Sequence, residues 1–253
     1  MPSALEIVFA GVLGAVVGSF LGVVAWSLPR KESLASLRSR CPECGIQAAA
    51  YGNVPVIFWL IVRGPCRKCG ASISIRQPLV ELVTAAAFAG IVATRGFDQD
   101  LLLELPFAAV LIVVAAIDLE HRIVPNRIVV PAAVWALAAG ALVKPSDLPE
   151  LLIGGAAAFL GLLLAALAYP AGMGMGDVKL AGVMGLYLGA SVAPALLVAF
   201  AAGALVGLAI IVREGAGGRK RGVPFAPFLA LGGLVAVMAG SQLIDLYSDR
   251  FLS

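Results

Sequence analysis

Apolar runs of about twenty residues, the length that crosses the hydrocarbon core of a bilayer, recur along most of this chain. They fall at 5–28, 79–95, 101–117, 124–143, 150–170, 178–189, 192–212 and 225–246. In lipid the backbone must satisfy its own N–H and C=O groups, so such runs become helices or a closed barrel. Their lengths select helices. The expected fold class is therefore all-α and polytopic, with about eight transmembrane helices. The sixth run is short and meets the seventh at Gly189–Pro194. One long kinked helix over 178–212 is the alternative to two spans there. Composition agrees with membrane residence: 61% of residues are hydrophobic and 13% charged, whereas a soluble domain carries about a quarter charged. Gly and Ala within the runs suit close helix packing in lipid.

The first charge is Glu6. The opening run thus lacks the basic flank of a cleavable signal peptide and is expected to stay as a span. With eight spans, the loops 29–78, 118–123, 171–177 and 213–224 share one side of the membrane. Fifteen of the eighteen Lys and Arg residues lie in these loops or at the adjoining helix ends. Only Arg95, Lys144 and Arg250 lie on the other side. The positive-inside rule then puts the long loop in the cytoplasm and both termini outside. A net charge of +3 is too small to argue for nucleic acid. Arg219-Lys220-Arg221 reads as a topology and lipid anchor. The sequence sets no oligomeric state.

Three parts follow: a first transmembrane helix over 1–28, a cytoplasmic insert over 29–78, and a transmembrane domain over 79–253. The insert holds all four cysteines, as Cys41-Pro-Glu-Cys44-Gly and Cys66-Arg-Lys-Cys69-Gly, with twenty-one residues between the pairs. Two C-x2-C knuckles supply the four thiolates that tetrahedral zinc prefers. The Gly after each second Cys permits a tight turn. Two disulfides, idle thiols or a redox role are the alternatives, and a cytoplasmic position argues against disulfides. A small insert with little core gains from a metal staple. Four thiolates leave no open position, so the zinc would be structural.

Ionisable residues at membrane depth are costly and usually functional. Asp118 follows the run LPFAAVLIVVAAI at the cytoplasmic end of the third span, and Asp177 closes Gly172-Met-Gly-Met-Gly-Asp177 and opens the sixth. The topology brings both carboxylates to one face. Two carboxylates held close share a proton. The ionised member can then take a proton from an attacking water while the other donates to a peptide carbonyl. Gly174 and Gly176 would let backbone approach a substrate strand, and Lys179 could tune Asp177, bind substrate or lipid phosphate, or snorkel to the interface. Other readings stay open at this point. Asp177 could be the N-cap of a helix beginning at Val178, Asp118 an interfacial acid near Arg122, and both could serve proton-coupled transport.

An ordered set of motifs resembles the type IV prepilin peptidases. It runs from Gly18-Ser-Phe-Leu21 and Leu28-Pro29 through Cys41-Pro-Glu-Cys44, Asn53-Val-Pro-Val56, Trp59-Leu60, Arg63-Gly64 and Cys66-Arg-Lys-Cys69-Gly70. It continues with Arg76-Gln-Pro-Leu-Val-Glu81, Asp118 with Val124-Pro125-Asn126, Gly174-Met-Gly176-Asp177-Val-Lys179, and Val223-Pro-Phe-Ala-Pro-Phe228. The G-x-G-D form is shared with presenilin-type proteases. The resemblance implies a bacterial inner-membrane aspartyl endopeptidase, with Asp118 and Asp177 as the catalytic pair. It would remove the basic leader of type IV prepilins or pseudopilins after a Gly, on the cytoplasmic side. Many such proteins also methylate the new N-terminus with S-adenosylmethionine. The chain departs from the family pattern at Gly22, Ser27, Gly52 and Gln77, around the region linked to methylation, and keeps both aspartate motifs.

Serine and metal proteolysis find no support, because neither G-x-S-x-G nor H-E-x-x-H occurs. His121 is the only histidine and makes a poor metal site alone. A proton-coupled transporter and a non-catalytic pilus or secretion assembly protein are the rival classes. The lack of inverted repeats counts against the first.

Overall fold

The computed structural model describes residues 2–30, 69, 75–169, 173–214 and 223–251. Its helices are α1 (Ala4–Ser27), α2 (Arg76–Arg95), α3 (Leu101–His121), α4 (Asn126–Val143), α5 (Leu148–Ala168), α6 (Met175–Leu188), α7 (Val192–Glu214) and α8 (Ala226–Phe251). Short 3-10 turns at Pro145–Asp147 and Gly189–Ser191 precede α5 and α7. No strand occurs among the described residues.

Six helical stretches among the described residues are long and apolar enough to cross a membrane, and Met175–Glu214, 40 residues long, counts as one of them. Ala226–Gly240 is a shorter apolar helix. Within Met175–Glu214 the chain breaks where the sequence suggested. Gly189, at φ +55° and ψ −129°, takes a left-handed backbone that favours glycine.

The chain divides into two compact units, Met1–Ala93 and Thr94–Ser253. In the first, α1 lies against α2 through glycines. A Cβ on Gly14 would come within 2.7 Å of Thr84 O, and one on Gly18 within 2.6 Å of Glu81 Cα. Glu81 and Thr84 are buried in that unit. Gly22 and Gln77, two of the departures from the family pattern, face each other: a Cβ on Gly22 would sit 3.1 Å from Gln77 Cγ.

In the second unit, α5 and α6 run antiparallel with backbones in close approach. A Cβ on Gly154 would fall 2.6 Å from Gly189 O, one on Gly155 2.6 Å from Leu186 Cδ2, and one on Gly185 would strike Gly154 O. Without a hydrophobic force between helices in lipid, packing of this kind supplies the association. Helix α7 reverses the direction of α6. Ser191, at its start, lies beside Gly240 of α8, whereas Gly203 lies beside Phe225 and Phe228 at the other end of α8. Helix α3 packs on α8 through Leu111 and Phe107 against Gly233. Phe107 also stacks on Tyr187 at 4.6 Å between centroids, and Tyr187 Oη donates to Ala132 O at 2.9 Å.

One end of this unit carries the ion pairs Lys144–Asp100 (2.6 Å) and Arg95–Glu104 (3.0 Å). They border a cavity of about 180 Å³ that Tyr187, Glu150 and Ser191 also line. Asp118 and Asp177 lie at the opposite ends of their helices. Arg95 and Lys144, two of the three cations assigned to the outer side, therefore sit away from the aspartates.

Candidate active site

Helix α3 delivers Asp118 in its last turn. The turn closes on Arg122, which adopts φ 54° and ψ 42° and donates its backbone N–H to Asp118 O. Three residues later Pro125 caps α4, its carbonyl accepting the N–H groups of Ile128 and Val129 at 3.0 and 3.2 Å. This short connection sets Asp118, Val124 and Asn126 around the first turn of α6.

Helix α6 begins three residues before the expected Val178, with Gly174 as its N-cap. Asp177 is thus the third helical residue and not the cap. Its Oδ2 accepts the Gly174 N–H at 3.3 Å, and its own N–H donates to Gly174 O at 3.1 Å. The carboxylate reaches back to the cap as the acidic member of a capping box does. Gly176 is small for a steric reason: a Cβ there would lie 2.7 Å from Val124 Cβ. Gly174 is exposed, and a Cβ would meet only ordinary contacts. Its contribution is the N–H.

Asp118 and Asp177 are buried, 5% and 9% exposed. They are close enough that the charge of Asp118 acts on Asp177. Arg122 supplies the cationic field on Asp118. Asp118 Oδ2 accepts a further, buried hydrogen bond from the N–H of Ala226 at 3.1 Å. Lys179 is turned elsewhere: its Nζ donates to Asn126 Oδ1 at 3.1 Å. Two neighbouring buried carboxylates, each with one oxygen tied to a backbone N–H, can hold one proton between them and move it to and from a water or a peptide group.

Asn126 and Ala226 stand within motifs that the sequence singled out, but their contacts with Lys179 and Asp118 were not legible. Ala226 acts through a backbone N–H, which carries no side-chain signal. The proline at 227 marks only a helix start. Of the four cysteines expected to bind zinc, Cys41, Cys44 and Cys66 lie outside the described residues, and Cys69 is exposed.

Membrane-crossing helices that close around a buried carboxylate pair define a multi-pass helical membrane protein with the elements of an acid–base site. The chain belongs to the type IV leader peptidase family: residues 105–212 match the model of that name and residues 12–95 match the Bacterial Peptidase A24 N-terminal domain. Relatives named "Prepilin leader peptidase/N-methyltransferase" are 34% identical in three bacteria. That of Burkholderia pseudomallei (strain 1026b) matches over 95% of this chain and 88% of its own length. That of Bacillus subtilis (strain 168) matches over 96% and 97%, and that of Dichelobacter nodosus over 98% and 96%. No solved structure matches the chain. As a member of the family it is an enzyme, a prepilin peptidase of the bacterial inner membrane.

Proposed function

We propose that the chain is an aspartyl endopeptidase that removes the basic leader of type IV prepilins or pseudopilins after a Gly, at the cytoplasmic face, with Asp118 and Asp177 as the catalytic pair. The observation that carries this reading is the burial of both carboxylates at one end of the unit, Asp118 in the last turn of α3 and Asp177 in the first turn of α6, with the charge of Asp118 acting on Asp177. Burial away from bulk water strengthens the coupling between two like charges, so a single shared proton is the favoured state. One member accepts a proton from the attacking water. The other donates to the carbonyl oxygen and then to the leaving amine.

The chain crosses the membrane eight times in this reading, with α6 and α7 as separate spans. Helix α6 has 14 residues, or about 21 Å at 1.5 Å per residue, less than the about 30 Å of the hydrocarbon core. A helix this short would leave its first turn, with Asp177, below the membrane surface. A substrate helix would have to meet the pair there. The charge bias of the loops supports the cytoplasmic side and outward termini. Lys179 with Asn126, and the Gly174–Gly176 turn, form the edge that a substrate strand would meet.

The relatives' names support a second activity, methylation of the new N-terminus, with S-adenosylmethionine as the donor. The four cysteines of the insert, Cys41, Cys44, Cys66 and Cys69, fit a structural zinc ion by donor set and spacing. Incubation of the purified protein with a prepilin carrying its leader tests cleavage, and replacing Asp118 or Asp177 by Asn should slow it about 10²–10⁴-fold. With S-adenosylmethionine added, the mass of the trimmed pilin should rise by one methyl group; an unchanged mass would confine the protein to peptidase activity.

A further inference from the structure

Asp118 is held from outside its own helix. Its Oδ2 accepts the N–H of a residue 108 positions away in the chain, in a buried contact. Ala226 is the first residue of α8, and the first N–H groups of a helix have no partner within it. This one points at a carboxylate, so the positive end of the α8 dipole faces a negative group.

The donor is fixed from several sides. Phe225 acts as the N-cap, its carbonyl accepting the N–H groups of Phe228 and Leu229 at 3.0 and 3.2 Å. Its ring packs against Phe200 of α7 at 5.3 Å and Phe228 at 6.2 Å between centroids. Pro227 follows, with a ring preset for the first helical turn. Ala226 and Leu229 are wholly buried, so Ala226 is out of a substrate's reach.

We infer that the Phe225–Pro227 turn is a positioning device for Asp118, acting through the Ala226 N–H. The inference rests on Asp118 being one of the catalytic pair. With Oδ2 tied, rotation of the carboxyl group costs a charge-assisted hydrogen bond. The carboxylate therefore keeps one orientation toward Asp177 through turnover. Helix α8 and its aromatic anchor on α7 thereby become part of the catalytic apparatus, although neither contributes a reacting side chain.

The test is an amide-to-ester exchange at Ala226 in the full-length protein in detergent. It replaces N–H by oxygen and leaves the side chain and chain geometry in place. Cleavage of a prepilin with its leader should show kcat about 10- to 100-fold lower, the range of a hydrogen bond to a charged group. KM should not move, and the unfolding midpoint should fall only modestly, since the exchange removes one buried hydrogen bond and makes the Phe225 carbonyl a weaker acceptor for Phe228 and Leu229. An ester variant with unchanged kcat overturns the inference. So does a loss confined to KM, or a loss of kcat that disappears when cleavage is measured well below the lowered midpoint. If Asp118→Asn is inactive while the ester is fully active, only the positioning role fails. If Asp118→Asn is fully active, the catalytic reading itself fails.

Discussion

Lys179 Nζ donates to Asn126 Oδ1 at 3.1 Å, tying the first turns of α6 and α4 together beside the aspartate pair. The lysine is thereby held toward α4. Its neighbour Val124 fills the space beside Gly176. The two contacts together fix how the G-x-G-D turn meets the connection that follows Asp118.

That pairing predicts a small, coupled effect. Lys179→Met and Asn126→Ala should each lower the unfolding midpoint slightly, and the double variant should lose less than their sum. The coupling energy should be about 0.5–1.5 kcal/mol, that of one hydrogen bond. Additive losses in a double-mutant cycle by thermal unfolding would show that the two side chains act separately.

The packing of α5 on α6 makes a stronger prediction. Gly185→Ala places a methyl group against Gly154 O, and backbone cannot yield as a flexible side chain can. The helices should part at a cost of about 1–3 kcal/mol, seen as a lower unfolding midpoint in detergent. Gly161→Ala, whose Cβ would meet nothing within 4 Å, should leave the midpoint near that of the unaltered protein. Equal midpoints for the two variants would contradict the close approach.

The insert allows a separate test. The purified protein should carry roughly one zinc ion per chain, as four thiolates bind one tetrahedral ion, and Cys41→Ser should lower that content. Unchanged zinc in the Cys41→Ser protein would rule out the two-knuckle site.

Much of the helical frame was legible in the sequence, because a backbone in lipid has so few ways to satisfy itself. The apolar runs at 101–117 and 124–143 reappear in α3 and α4, and the break after Leu188 fell where Gly189 stands. Helix ends were harder. Helix α3 continues through Asp118 to His121, and α6 starts at Met175, since a glycine N-cap has no side-chain oxygen to announce it. The neighbours of the aspartates were less legible still. Asn126 meets Lys179 only because two helix starts, distant in sequence, converge. The donor on Ala226 is a group that every residue but proline carries. Gly22 and Gln77, which look like separate departures along the chain, form one contact between α1 and α2.

The catalytic role of the pair is most directly tested by the rate of leader removal in Asp118→Asn, Asp177→Asn and the double variant, each confirmed to unfold at the temperature of the unaltered protein. Each single variant should lose about 10²–10⁴-fold in kcat, the share of a positioned acid or base. The double variant should lose little more, because two groups that share one proton act as a unit. Full cleavage by either single variant would contradict the account.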